Sequence, residues 1–297
     1  WYQRYAKRFD QMHLPKSNKE REQLAKQIGE DGVELINHLA MPETPDSLKG
    51  LECLTVLRTV WSQQYKVTQN HGQITVCWSK GADLPPSEQQ IESPYDPETH
   101  YCTHNDTTWK GYKVHFTETC DDGADINLIT HVETTLATQQ DVAAPEPIHK
   151  ALERKDLLPN EHLMDAGYVY ADLLVEAKHQ YGIDIIGPIT KNVSWQAREN
   201  TGYDISRFRV DWEAQRVTCP RGKHSDQWWT GKDRTQNDVI HVMFDKAICQ
   251  ACSVRSKCTR SETHGRSMQL RPREQHEAIQ QRRLMQTTDE FIRKYMK

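Results

Sequence analysis

Apolar residues recur at helical spacing from Glu20 to Ile28 and again from Val33 to Leu39, which predicts helices divided by Gly29 and ended by the Pro42/Pro45 turn. Leu51, Leu54, Val56, Leu57, Val60 and Trp61 form a third amphipathic stretch, so residues 1–66 read as mostly helical. Gly81 to Pro97, with four prolines and few apolar residues, reads as a linker or irregular loop. From Trp109 the period changes to two. Tyr112, Val114 and Phe116 alternate with Lys113, His115 and Thr117, the mark of a half-buried strand. An acidic turn at Asp121-Asp122-Gly123 leads to a second strand over Leu128–Val132, so the two should pair antiparallel. Pro145 to Leu152 predicts a helix with proline in its first turn. A short apolar run then ends on Asp165 and turns at Gly167. Tyr170, Leu173, Leu174 and Ala177 share one face of a helix that Gly182 is placed to stop, and Ile183–Ile186 gives another strand, closed by Gly187-Pro188. Pro272 to Lys297, with Ala278, Leu284, Phe291, Ile292 and Tyr295, reads as one long amphipathic helix. The order of strands and helices predicts an α/β fold whose βαβ unit crosses over right-handed.

Length and composition change this picture little: 297 residues allow about two domains, and 36% hydrophobic with 27% charged residues describes an ordinary globular chain. No apolar stretch reaches membrane-spanning length, so a membrane role is not expected. Nothing resembles a signal peptide, and a chain opening on Trp1-Tyr2 makes that uninformative. Charge is more telling. Residues 1–190 carry 17 Lys/Arg against 29 Asp/Glu, and residues 191–297 carry 21 against 13, so a net of -12 is followed by a net of +8. That asymmetry fits a polyanion-binding region joined to an acidic one, and equally a surface with uneven salt bridging.

Candidate chemistry falls into two groups. Asp165 stands at the carboxyl end of a short strand, where open α/β sheets bind ligands; an acid there can also cap the helix that follows. The other group is Cys219, Cys249, Cys252 and Cys258, in which the Cys249-x-x-Cys252 pair can grip a tetrahedral zinc and the other two can close a Cys₄ site. His224 could replace one ligand, and the alternative is four free or transiently paired thiols. Cys53, Cys77, Cys102 and Cys120 lack such spacing and are expected to be buried apolar residues. Lys223, Lys232, Arg234, Arg255, Lys257 and Arg260 surround the cysteines, with Trp195, Trp228 and Trp229 interleaved. Such residues neutralise phosphates and stack on unpaired bases, although the tryptophans could as well form a packed core. His115 and His131, on the two paired strands, read as surface or core histidines rather than general bases.

Trp109-Lys110-Gly111-Tyr112-Lys113-Val114-His115, the later Asp141, and Met164-Asp165-Ala166-Gly167-Tyr168 resemble the DDE transposases of bacterial insertion sequences. Ser93-Pro94-Tyr95-Asp96, Thr117-Glu118-Thr119-Cys120, Gly187-Pro188, Ser194-Trp195-Gln196-Ala197-Arg198 and Thr218-Cys219-Pro220 are similar to words of one subgroup. The resemblance implies an RNase H-like mixed sheet with flanking helices, in which three acids hold two Mg²⁺ or Mn²⁺ ions for phosphodiester chemistry. Asp165 matches the second acid. The first acid's usual Asp-Ser/Gly-Thr word does not occur before Tyr112, and the third acid's Gly-Ile/Val-Glu-Gly word is expected just beyond Lys297. Asp96 is a candidate first acid, but Pro94 and Pro97 bracket it and favour a turn-capping role.

The resulting expectation is a helical region over residues 1–90, a partial RNase H-like core over 91–190, a basic Cys-rich insertion with a zinc knuckle over 191–271, and a helix over 272–297 leading toward the end of the core. The function implied is a transposase of the bacterial cytoplasm, on the nucleoid, acting on DNA as a homo-oligomer and inactive as this chain alone. A non-catalytic DNA-binding or interaction module derived from a transposase is the alternative. A zinc-dependent enzyme ranks last, because the His-x-Glu plus Pro-Cys-x-x-Cys signature of the base deaminases is missing.

Overall fold

Ser17 opens helix α1 (Asn18–Leu39): its Oγ accepts the Glu20 amide at 3.3 Å, while its hydroxyl donates to the Glu20 carboxylate at 2.8 Å. This Ser-x-x-Glu start satisfies one of the amide donors that a helix leaves unpaired. The computed structural model describes residues 2–6, 15–70, 73–120, 123, 126–199 and 201–296, and in it α1 runs straight through Gly29. The expected break is absent, and the reason is packing. A Cβ on Gly29 would lie 2.7 Å from Tyr65 Cε1, and one on Gly32 would overlap the Trp61 indole, whose Nε1 donates to the Gly29 carbonyl at 3.2 Å. Each mid-helix glycine costs about 1 kcal/mol relative to alanine, and here the burial of an aromatic ring offsets it. Trp61 lies on α2 (Glu52–Gln64), and Tyr65 begins β1 (Tyr65–Asn70), which pairs antiparallel with β2 (Gln73–Trp78). A hairpin thus follows the helices in a region, residues 1–90, that was expected to be mostly helical.

These elements belong to the first of two compact units, Trp1–Val114 with Thr134–Gln139; the second comprises His115–Glu133 with Gln140–Lys297. Strand β3 (His100–His104) pairs antiparallel with β4 (Thr107–Glu118), and β5 (Ile129–Leu136) completes a sheet of order β3-β4-β5. The alternation along β4 is present with its polarity reversed: His115 and Thr117 are buried, whereas Val114 and Phe116 are 50% and 65% exposed. On β5 Thr135 is buried and Val132 exposed. The polar face is the one drawn inward, because His115 finds a hydrogen-bonding partner there. Asp121 and Asp122 of the expected acidic turn lie outside the described residues, and Gly123 sits in a turn at φ 78°.

In the second unit the order α3 (Pro145–Arg154), β6 (Glu161–Leu163), α4 (Ala171–Tyr181), β7 (Asp184–Ile186) is the one the periodicity predicts. Gly182, at φ 72°, ends α4 in the left-handed conformation. Strands β6 and β7 pair in parallel, His162 opposite Ile185, as a sheet of two. Behind them Met164, Val169, Leu173, Ala177, Ile183, Ile185 and Ile189 form one buried cluster. Each fully buried leucine or isoleucine contributes about 1.5–3 kcal/mol. The fold class is therefore mixed α/β, assembled from several small sheets.

A second cluster of the same unit is built on the hairpin β8 (Arg209–Asp211) and β9 (Arg216–Thr218) and on the antiparallel sheet β10 (Gln227–Lys232), β11 (Asp238–Met243), β12 (Ser267–Leu270), with the short helix α5 (Lys246–Gln250) between the last two strands. Phe208, Val217, Val242, Phe244, Met268 and Leu270 form its core. The C-terminal stretch is two helices, α6 (Arg273–Met285) and α7 (Asp289–Tyr295), and not one. Thr288 Oγ accepts the Phe291 amide at 3.3 Å and starts α7, while the Thr287 and Thr288 hydroxyls donate to the Leu284 and Met285 carbonyls. Cys53, Cys77 and Cys120 are exposed and Cys102 is half-buried, which corrects the expectation that these four fill apolar interiors.

Candidate functional site

Asp165 owes its position to the β6–β7 ladder. The Met164 amide still donates to the Ile186 carbonyl at 2.9 Å, and the chain then turns, with the Tyr168 amide donating to the Asp165 carbonyl at 3.0 Å. The side chain is left exposed at the carboxyl end of the strand. Tyr295, at the end of α7, donates its hydroxyl to Asp165 Oδ1 at 3.1 Å, and Lys294 pairs with Glu161 at 2.5 Å. The turn is also held from the other side: Tyr168 Oη lies 2.7 Å from His115 Nδ1, with the rings edge to face at 5.5 Å. Asp141 stands beside the turn, its Oδ2 3.7 Å from where a Cβ on Gly167 would be. Burial pushes the Tyr168 phenol above its ordinary pKa, and the negative charges of Asp141 and Asp165 add to this. Burial, followed by the bond to Asp165, does the same for Tyr295. Both phenols therefore stay neutral donors around an exposed carboxylate. Sequence reasoning found Asp165 but missed Tyr295 and treated His115 as incidental; the alternation of β4 gave no hint that its polar face is the buried one.

Asp96 lies in the first unit. Its carboxylate accepts the Thr99 hydroxyl at 2.5 Å and the Tyr112 hydroxyl at 2.8 Å, and these bonds hold its pKa below the usual carboxylate range. Both oxygens thus serve the turn that Pro94 and Pro97 bracket.

Cys219, Cys249, Cys252 and Cys258 line one cavity of about 40 Å³ in the second unit, walled by Phe208 and Phe244. All are free thiols. The Lys223 amide points at Cys219 Sγ and the Arg266 amide at Cys249 Sγ, each at 3.4 Å. Burial pushes the Cys258 thiol up to about 11, and the other three cysteines raise it further while the Arg266 guanidinium opposes them. His224 bonds the Thr218 hydroxyl at 3.1 Å. No group of three or more His, Cys, Asp or Glu is close enough to hold a metal ion among the described residues, so the thiols converge on the cavity without forming a closed ligand set.

The basic residues divide. Lys232 pairs with Asp238 at 2.7 Å, Arg260 pairs with Glu199 at 2.7 Å and lies over the Trp195 ring, and Arg255 donates to the Ser261 carbonyl. Lys223, Arg234 and Lys257 make no ion pair among the described residues. Trp228 packs into the second cluster, edge-on to Trp212, whereas Trp229 is 43% exposed and stacks on His241. His131 is held between Glu133 at 2.9 Å and Lys155 at 3.2 Å.

Among the described residues no helix is long and apolar enough to cross a membrane. Residues 218–297 match a family model described as a transposase DDE domain. No curated protein and no solved structure matches it. The matched segment holds the four cysteines, α6 and α7 with Tyr295, while Asp165 lies before it.

Proposed function

We propose, from a chain whose residues 218–297 are similar to a transposase DDE domain, that it serves DNA transposition on an RNase H-like core, the parent transposase cutting and rejoining strands by metal-dependent phosphodiester chemistry. The observation that carries this is the placement of Asp165: an exposed carboxylate at the end of β6, with Asp141 beside it and Tyr295, from the matched segment, bonded to it. Carboxylates are the ligands that Mg²⁺ or Mn²⁺ takes, and Asp165 is the residue that would hold such an ion, with Asp96 occupied in its own turn. When bound, a pair of these ions stabilises the attacking and leaving oxygens of an in-line displacement. Tyr295 fixes the Asp165 carboxylate, and the His115–Tyr168 pair fixes the turn that carries it. With Asp165 the one acid matched to a three-acid pattern, this chain alone binds DNA and leaves it uncut. The setting is the bacterial cytoplasm, on the nucleoid, with two or more copies on DNA.

Lys223, Lys232, Arg234, Arg255, Lys257 and Arg260 contribute to DNA binding in this reading, and Cys219, Cys249, Cys252 and Cys258 hold a structural Zn²⁺. Their shared cavity and the two amide-to-sulfur bonds support the zinc assignment. Metal analysis of the purified protein tests it: about one zinc per chain is expected, and reduced cysteines without zinc would refute it.

A second reading, a non-catalytic DNA-binding module, is favoured by the lack of a three-ligand group among the described residues. Mn²⁺ binding followed by electron paramagnetic resonance separates the two. The transposase reading expects weak Mn²⁺ uptake that Asp165→Asn abolishes; equal uptake by both proteins would remove Asp165 from the metal site.

A further inference from the structure

We propose that the outward face of the β8–β9 hairpin is a phosphate-binding pocket, and that the phosphodiester backbone of DNA is its ligand. The source of the phosphate rests on the DNA-binding reading above; the pocket does not. Val217 is fully buried and Val210 packs against the same cluster, so the alternate residues must point outward. With Arg209 opposite Thr218 and Asp211 opposite Arg216, two arginines, a threonine and one acid share that face. They line a cavity of about 310 Å³ together with His224 and Arg273.

The acids of this pocket already have partners. Asp211 Oδ1 accepts the Ala214 amide at 2.9 Å, and Glu213 is paired with Arg273 at 3.2 Å, which also takes Glu277 at 3.0 Å. Arg209 and Arg216 make no ion pair among the described residues. Two guanidinium groups outside any ion pair therefore line a concave site that also holds Asp211 and Glu213, beside the Thr218 hydroxyl and the His224 ring, which bond one another at 3.1 Å. A guanidinium fork with a neighbouring hydroxyl donor is matched to the oxygens of a phosphate. The C-terminal part of the chain supplies a favourable long-range field, residues 191–297 carrying a net of +8. Neither arginine was among the basic residues singled out by their closeness to the cysteines, because the hairpin brings them together only through its register.

The test is fluorescence anisotropy with a labelled DNA duplex over a salt series, comparing the wild type, Arg209→Ala/Arg216→Ala, and a charge-matched variant of the first unit, Lys26→Ala/Arg58→Ala. The hairpin variant is expected to bind about ten-fold more weakly and to lose about 2 from the slope of log K against log salt, while the first-unit variant behaves as wild type. Arg209→Lys/Arg216→Lys keeps the charge and is expected to restore most of the slope, which separates loss of contacts from misfolding. Unchanged affinity and slope in the hairpin variant, or an equal loss in the charge-matched one, would overturn the proposal. Calorimetry with inorganic phosphate supplies the second arm. If the wild type bound no duplex but bound phosphate saturably, and the hairpin variant did not, the pocket would stand as a free-phosphate site while the DNA-binding reading failed. Binding of neither overturns the pocket as well.

Discussion

The second unit holds two centres made in opposite ways. Around Asp165, residues distant in sequence converge: Tyr295 bonds the exposed acid, Asp141 stands beside its turn, and His115 bonds Tyr168 of that turn. Around the four cysteines, residues 219–266 enclose a small apolar cavity, with Phe208 and Phe244 as walls. The first is polar, open and held by a few hydrogen bonds, each worth about 0.5–1.5 kcal/mol net. The second is half-buried and packs against a hydrophobic cluster. More stability is therefore expected from the cysteine centre, which packs on a hydrophobic cluster, than from the open one around Asp165.

The largest effect should therefore come from the cysteines. Cys249→Ser/Cys252→Ser, which removes two of the proposed zinc ligands, is expected to lower the free energy of unfolding by about 3 kcal/mol or more and to erase the response of the melting temperature to a strong chelator. If the melting temperature of the wild type ignores chelator, the contrast between the centres rests on packing alone. Next comes acid. His149 Nε2 and His162 Nδ1 lie 3.1 Å apart between α3 and β6, and burial holds both rings down to about 4; the Tyr181 ring is the other titratable group against His149. An unfolded histidine takes a proton near its ordinary pKa of about 6.5. The unfolded state therefore binds more protons between that value and about 4, so stability is full above the window and falls as pH drops through it. The loss is on the order of 3 kcal/mol per ring at most, read by urea denaturation at a series of pH values; a flat profile would contradict the buried pair. Tyr295→Phe should be smaller, about 0.5–1 kcal/mol, since its bond is to an exposed acid. Asp165→Asn should shift stability by less than about 0.5 kcal/mol, and a loss comparable to that of the cysteine variant would abolish the distinction.

The βαβ segment from Pro145 to Ile186 was legible in the sequence because its signals are local: a proline in the first turn, Gly182 after the last apolar position, and short apolar runs for strands. The acid was legible for the same reason, standing at a strand end before a glycine. What surrounds it was not. Tyr295 reaches Asp165 only because Thr288 restarts the chain as α7, and periodicity alone carried one helix across that break. The buried face of β4 was set by the His115–Tyr168 bond and not by the apolar content of Val114 and Phe116. Gly29 misled because a glycine inside a helix signals a stop unless an aromatic ring needs the space, and Trp61 and Tyr65 lie far along the chain. The clustering of the four cysteines in the sequence anticipated their shared cavity, while their distances in space could not be read from spacing.

The proposed role is DNA binding by a chain in which one acid, Asp165, matches the catalytic pattern. A labelled DNA duplex incubated with the chain in Mg²⁺ and resolved on native and denaturing gels tests this most directly. The expected result is a salt-sensitive shift of the duplex with every strand intact. No shift at low salt, or strand cutting that depends on Mg²⁺, would contradict it.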